Sequence, residues 1–310
     1  MTARKVCVVG GGAWGLALAA AIGRAGNTAL VVTRREGALP EGAERSTLAE
    51  ACKEAKLVVF AVPTAVTHEA ARELGNHLGG QHYVVHGVRG LVGDDLDTVS
   101  DVLRAETPTR RVGALGGPVL EADLLEGKPS VMVSGARFPE VNDAVSEAFS
   151  SAHLRLYPTN DLRGLEWGSA LVGCIAIAGG FARGLGMSSG LVAAFMTRSV
   201  NEAARIAVAA GGEDRTLLGL AGYGDLLAAI IQDDRPEIAL GRALAAGKST
   251  QEALAEVKVR VEAVELVPRI LAWCERKDLR TPIFRALGQG ILGGHPAEKL
   301  LYQLMTMPHV

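Results

Sequence analysis

Three glycines near the amino terminus have the spacing of a phosphate-binding turn. A G-x-G-x-x-G pattern begins at Gly10, directly after an apolar run typical of a strand and before a stretch typical of a helix. In that context Gly10 permits a tight turn, Gly12 lets the backbone approach a pyrophosphate, and Gly15 lets the helix pack closely on the strand. The first helical N–H groups, around Ala13 and Trp14, would donate to the anion. The pattern therefore predicts a dinucleotide site.

Two arginines lie at the end of the second predicted strand, the position at which dinucleotide-binding proteins distinguish NAD from NADP. The second predicted strand ends in Thr33-Arg34-Arg35, where a carboxylate usually accepts hydrogen bonds from the ribose 2′-hydroxyl. No carboxylate appears before Glu36. Guanidinium groups suit a 2′-phosphate instead, through charge-assisted and bidentate hydrogen bonds. The cofactor is therefore expected to be NADP or NAD, with NADP favoured.

Short apolar, β-branched runs alternate with helical stretches through the first half of the chain, which is the pattern of a parallel sheet covered on both faces. We expect a Rossmann-type, doubly wound α/β domain over residues 1–160. The predicted strands are 5–9, 29–33, 57–62, 82–86, 111–115 and 130–134.

The residue pattern changes after about residue 160. Beyond that point β-branched runs are replaced by segments rich in Ala, Leu and Gly with helical spacing. We therefore expect an all-helical second domain over residues 161–310, of the kind that binds substrate or forms dimers. The predicted helices are 165–182, 189–210, 215–232, 236–246, 250–257, 261–277, 281–290 and 296–307.

Composition excludes several other classes of protein. The 310 residues carry 32 Lys plus Arg against 34 Asp plus Glu, a net charge of −2, so no electrostatic footprint for nucleic acid is present. The four cysteines are scattered, which indicates neither a zinc site nor disulfides and suits a cytoplasmic location. The uncharged run 6–23 contains five glycines, so we predict no membrane span there. No metal is expected.

Several longer segments resemble the bacterial NAD(P)-dependent sn-glycerol-3-phosphate dehydrogenases along nearly the whole chain. The resemblance implies a nicotinamide cofactor, with Pro63 beside it, and as substrate either a three-carbon phosphate or a different small carbonyl compound. The segments that carry it are Gly10–Ala19, Ala61–Pro63, Gly117-Pro118, Glu126–Pro129, Ile175–Gly186, Gly219–Leu226, Gly247–Ser249 and Val261-Glu262.

At the positions expected to perform the chemistry, this chain has different residues from that family. The family's catalytic lysine lies in an Ala-Leu-Lys-Asn segment, which here reads Ala170-Leu171-Val172-Gly173. A second lysine, which helps position the substrate, is replaced by Arg89. Asp225 is retained and in the family orients the lysine. Asp225 and Arg89 are thus our candidate catalytic residues, and without the lysine Asp225 would either pair with Arg89 or another cation or have a raised pKa.

Two further positions bear on substrate binding. The family's phosphate-binding Arg-Asn pair aligns with Pro236-Glu237, with Arg235 one position away, and Glu237 would repel a phosphate dianion. His86, at the end of a predicted strand, is either a proton donor or a satisfied polar group.

Two functions remain open from the sequence. The first is an NAD(P)-dependent dehydrogenase with a diverged active site, which transfers hydride between the nicotinamide and a small carbonyl compound. The second is a dinucleotide-binding protein with impaired catalysis, which acts as a sensor, scaffold or regulator. The low-charge helical half has apolar faces that would suit a homodimer or a regulatory protein partner, although no pattern specifies either.

Overall fold

The computed structural model describes residues 3–232 and 235–295, together with Tyr302 and Thr306. It divides into two compact units. The first comprises residues 1–93 and 97–166, and the second comprises residues 94–96 and 167–310.

The first unit is built on a sheet of eight strands in the order β10-β9-β8-β5-β4-β1-β2-β3, and β6 and β7 form a separate antiparallel pair. The strands are β1 Lys5–Val9, β2 Thr28–Val32, β3 Ala43–Arg45, β4 Leu57–Phe60, β5 Tyr83–His86, β6 Leu91–Val92, β7 Asp97–Thr98, β8 Val112–Gly116, β9 Ser130–Ala136 and β10 Leu154–Thr159.

Helices follow most strands of the first unit and make up most of the second. They are α1 Ala13–Arg24, α2 Leu48–Glu54, α3 Thr67–Gly75, α4 Val99–Glu106, α5 Glu121–Glu126, α6 Pro139–Phe149, α7 Leu162–Gly184, α8 Ser189–Ala209, α9 Asp214–Leu218, α10 Asp225–Ile231, α11 Pro236–Ala245, α12 Thr250–Val257, α13 Glu262–Arg276 and α14 Pro282–Gly293, with a 3₁₀ turn at Thr64–Val66 and a π turn at Leu220–Gly224.

Both faces of the sheet are covered, as the unbroken apolar strands predicted. Successive residues of β1 face opposite sides because side chains alternate along a strand. Val6 and Val8 pack in a core with α1 and α6. Cys7 and Val9 pack in a second core with α2, α3 and α4. The Rossmann-type sheet followed by a helical unit confirms the predicted fold class.

One pair of neighbouring strands departs from the predicted parallel arrangement. β9 runs antiparallel to β8, whereas the other six neighbouring pairs of the large sheet are parallel. β3, β6, β7 and β10 were not predicted from the sequence. Two of these lie at the edges of the sheet and two form the short hairpin, where polar side chains are tolerated and the apolar signal is weak.

The second unit corrects one predicted helix. The segment 215–232 is not continuous, because α9 ends at Leu218, Gly219 interrupts the helix and a π turn precedes α10. A side chain at Gly222 would lie 2.2 Å from the carbonyl oxygen of Leu217, so the backbone is close-packed there. The helix predicted at 296–307 lies outside the described residues, apart from Tyr302 and Thr306.

Helices α7 and α11 touch through their backbones. A Cβ at Gly180 would lie 2.2 Å from the carbonyl oxygen of Ile238, and one at Gly241 would lie 2.1 Å from that of Ile177. α7 is also long and apolar enough to cross a membrane, but 89% of its most apolar window is buried in the structure, as in the core helix of a globular protein.

Candidate active site

Gly10 and Gly15 leave no room for a side chain. Gly10 follows β1 with a φ of +118°, and a Cβ on it would lie 2.1 Å from the carbonyl oxygen of Ala61. A Cβ on Gly15 would lie 1.9 Å from the carbonyl oxygen of Gly10. These two glycines therefore allow the turn and the close packing of α1 that the sequence predicted.

Gly12 lies in a different environment. It is the N-cap of α1, with a φ of −73°, and no atom lies within 4 Å of the position a Cβ would take. The first turn of α1, which begins at Ala13 and Trp14, contains no acidic residue. A helix N-terminus that has open space beside its N-cap glycine and no acidic residue in its first turn fits a pyrophosphate.

The neighbouring strands add two further predicted residues to this edge of the sheet. Pro63 follows β4 and caps the 3₁₀ turn at Thr64–Val66. The indole of Trp14 packs against Gly87, which follows β5, and its Nε1 is buried without a hydrogen-bond partner among the described residues. Since the carboxyl ends of parallel neighbouring strands meet at one edge, the turn, Pro63 and Gly87 share that edge.

Arg34 and Arg35 follow β2, and both are exposed. Their backbone is held by local bonds, because Arg35 N–H donates to Thr33 Oγ1 at 3.0 Å and Arg45 Nη1 donates to the carbonyl oxygen of Arg35 at 2.8 Å. Neither guanidinium group forms an ion pair within the part of the chain that the structure describes. Both are therefore available to an anionic ligand.

Arg89 lies three residues beyond the end of β5 and is half-buried. Its Nη2 donates to the carbonyl oxygen of Gly117 at 3.2 Å, just beyond the end of β8. The side chain is thus directed along the carboxyl edge of the sheet.

His86 is a satisfied polar group, the second of the two interpretations of this residue. Its side chain is 1% exposed. Its Nδ1 accepts from Val88 N–H at 3.3 Å, and its Nε2 lies 2.9 Å from Glu166 Oε1. Because both ring nitrogens are engaged and enclosed, His86 is not placed to donate a proton to a substrate.

In the second unit, the residue that the sequence comparison aligned with the family's lysine is apolar and buried. Val172, on α7, is 3% exposed. Beside it, a Cβ on Gly173 would lie 3.8 Å from Glu237 Oε1. Glu237 thus reaches α7 from the first turn of α11, and its charge adds to the burial that raises the pKa of the neighbouring Cys174 thiol.

Asp225 is paired with a cation. Asp225 begins α10 directly after the π turn and is fully buried. Arg235 Nη1 lies 3.5 Å from Asp225 Oδ1, and Arg235 Nε donates to Glu237 Oε2 at 3.1 Å. The Arg235 side chain is 10% exposed. From the sequence, Arg235 lay one position from the family's phosphate-binding pair, and its contact with two carboxylates was not predicted.

These features define a class of two-domain oxidoreductases that bind a nicotinamide dinucleotide on a Rossmann sheet. Within it, the chain belongs to the NAD-dependent glycerol-3-phosphate dehydrogenase family, because the model of the family's N-terminus matches residues 39–141 and that of its C-terminus matches residues 161–302. The prediction of NAD or NADP as the cofactor is confirmed at the level of this family.

Individual relatives match over nearly the full length of the chain. A glycerol-3-phosphate dehydrogenase [NAD(P)+] of Rhizobium etli is 31% identical over 98% of each chain, and that of Agathobacter rectalis is 28% identical over 97% of this chain and 95% of its own. The crystal structure of the Coxiella burnetii glycerol-3-phosphate dehydrogenase has a TM-score of 0.89 at 21% identity and covers 98% of this chain and 99% of its own. The Plasmodium falciparum glycerol-3-phosphate dehydrogenase has the same fold, with a TM-score of 0.91 at 16% identity and coverage of 99% and 97%.

Proposed function

We propose that the protein is an NAD(P)-dependent dehydrogenase that interconverts a small hydroxy compound and the corresponding ketone. Dihydroxyacetone phosphate is the first substrate to test, because the relatives are named glycerol-3-phosphate dehydrogenases. The observation that carries the proposal is the dinucleotide turn, in which Gly10 and Gly15 are close-packed while the space in front of Gly12 is open.

The chain's own residues would hold the cofactor as follows. The N–H groups of α1, from Ala13 and Trp14 onward, would bind the pyrophosphate. Arg34 and Arg35 would bind a 2′-phosphate, which makes NADP the preferred cofactor. When bound in its reduced form, the nicotinamide supplies a hydride to a carbonyl carbon.

The carbonyl oxygen gains negative charge in that reaction, so a cation or a hydrogen-bond donor must stabilise it. Val172 can do neither. We assign this role to Arg235, which Asp225 orients as it would orient the family's lysine. A guanidinium group keeps its proton near neutral pH, so water must supply the proton that the oxygen takes up. We assign Arg89 to binding an anionic or polar group of the substrate.

The test follows oxidation of NADPH and of NADH by absorbance, with dihydroxyacetone phosphate as the substrate. The wild-type protein is compared with the Val172→Lys/Gly173→Asn variant, which restores the family's residues. Turnover by the wild-type protein that Arg235→Gln lowers by roughly 10²-fold or more supports the proposal, since loss of an electrostatic partner in catalysis has about that effect.

Cofactor binding is measured separately, by fluorescence titration. Titratable NADPH binding without wild-type turnover would overturn the enzymatic proposal and leave a dinucleotide-binding protein. Absence of NADPH and NADH binding would remove the premise of both functions.

We also propose a cytoplasmic location and a homodimer. The four cysteines are free and buried, which is compatible with a reducing compartment. Sedimentation velocity would test the dimer, and a monomer at micromolar concentration would contradict it.

A further inference from the structure

A buried carboxylate in the first unit gathers hydrogen bonds from both ends of one loop. Glu166 Oε1 lies 2.9 Å from His86 Nε2 and accepts from Ser100 N–H at 2.8 Å, and Glu166 Oε2 accepts from the Ser100 hydroxyl at 2.7 Å. The side chains of His86 and Glu166 are 1% and 2% exposed. His86 ends β5 and Ser100 lies in the first turn of α4, so Glu166 joins the two ends of the segment 87–99.

The imidazole of His86 connects Glu166 to the start of the segment 87–99. Val88 N–H can only donate, so His86 Nδ1 must accept, and the ring proton must lie on Nε2, where it is donated to Glu166. One neutral tautomer therefore satisfies both bonds. The next residue is Arg89, whose guanidinium donates to the carbonyl oxygen of Gly117.

A buried carboxylate without partners would be strongly destabilising, so a fully hydrogen-bonded one fixes the groups around it. We propose that Glu166 and His86 are positioning residues, which set the tautomer and hold the Val88 amide so that Arg89 keeps one orientation at the carboxyl edge of the sheet. The importance of this for catalysis rests on the function proposed for Arg89 above.

The experiment uses Glu166→Gln, which keeps the size of the side chain but replaces one acceptor oxygen by an NH₂ group. The amide oxygen can still accept from His86 Nε2–H and from Ser100 N–H while the NH₂ group faces the Ser100 hydroxyl, but the amide carries no charge, so the hydrogen bonds that hold His86 and Ser100 lose their charge assistance. We expect the KM for dihydroxyacetone phosphate to rise about tenfold, with less than a twofold change in the Kd of NADPH, since one charge-assisted hydrogen bond is worth about that factor. Ser100→Ala, which keeps the Ser100 N–H bond to Glu166 and removes the hydroxyl with its bonds to Glu166 and Thr98, is the milder variant should Glu166→Gln fail to fold.

A double-mutant cycle separates positioning from general destabilisation. If Glu166 acts through Arg89, the effects of Glu166→Gln and Arg89→Ala on kcat/KM will not multiply. Ser134→Ala is the control, because it removes a buried 2.6 Å bond to Asn142 in the same unit and should multiply with Arg89→Ala. Full multiplication for Glu166→Gln as well would overturn the proposal.

Hydrogen exchange provides a readout that needs no substrate. Glu166→Gln should speed exchange of the Val88 amide about tenfold or more, whereas Ser134→Ala should leave it unchanged. An unchanged Val88 amide in Glu166→Gln would overturn the proposal. A wild-type protein without turnover would refute the proposed function alone, and the exchange rates would still decide whether the carboxylate holds the loop.

Discussion

Gly12→Ala should weaken cofactor binding without weakening the fold. The position has an extended backbone with a φ of −73°, which alanine adopts readily, and a Cβ would meet no atom within 4 Å. The free energy of unfolding should therefore change by no more than about 0.5 kcal/mol. The added methyl group would instead occupy the space through which a pyrophosphate approaches the first N–H groups of α1.

The expected loss of affinity follows from those N–H groups. Hydrogen bonds to a charged group contribute about 1.5–3 kcal/mol each, so displacing the phosphate from one of them should raise the Kd of NADPH by about 10- to 100-fold. NADH should lose affinity to a similar extent, because the two cofactors share the pyrophosphate. The Kd values are measured by fluorescence titration, and the stability by urea unfolding.

Gly10→Ala is the matched comparison. It places a Cβ 2.1 Å from the Ala61 carbonyl oxygen at a φ of +118°, so it should cost about 3 kcal/mol or more of stability. If Gly12→Ala binds NADPH as tightly as the wild-type protein does, the assignment of this turn to the pyrophosphate is refuted.

Three other changes test separate parts of the structure. Arg34→Ala/Arg35→Ala should raise the Kd of NADPH about tenfold or more and that of NADH less than twofold, and equal weakening of both would contradict a 2′-phosphate site. Asp225→Asn should lower stability by about 3 kcal/mol in urea unfolding, because it leaves Arg235 buried without that carboxylate; a loss below about 1 kcal/mol would contradict the ion pair. Burial raises the pKa of Asp101. The hydroxyl of Thr98, the N-cap of α4, and the guanidinium groups of Arg163 and Arg104 outweigh burial and hold the pKa below its ordinary value. The ionised carboxylate therefore stabilises the fold above about pH 4, and this stabilisation is lost as the pH falls through the lowered pKa. Asp101→Asn should lower the free energy of unfolding by about 1 kcal/mol at pH 7 and by almost nothing near pH 2.

The parts of the fold that the sequence predicted depend on neighbouring residues. The turn at Gly10 is a local pattern, and β1 and β4 are continuous apolar runs because they are buried on both faces. The antiparallel direction of β9 is decided by pairing with β8, and its apolar run would look the same in either direction. The break at Gly219 was missed because the flanking residues keep helical spacing.

The side-chain pairs of the site were harder to predict, because their partners are not neighbours in the sequence. His86 and Glu166 are separated by 80 positions, and nothing in either segment indicates the other. Arg235 and Asp225 are closer in the chain, but their contact depends on how α10 and α11 pack. The resemblance to a family identified Asp225, whereas the cation paired with it became visible only in three dimensions.

The backbone contact between α7 and α11 limits how this protein can be re-engineered to act on a chosen carbonyl compound. At Gly180 and Gly241 even a methyl group would force the two helices apart, and α11 carries Glu237 in its first turn. Directed evolution therefore has little freedom to slide or tilt α11 as a rigid body. Under the function proposed above, new specificity would come from exchanging side chains at positions such as 172, 173, 235 and 237 while the backbone stays in place. Libraries confined to those positions should yield more folded variants than libraries spread along both helices.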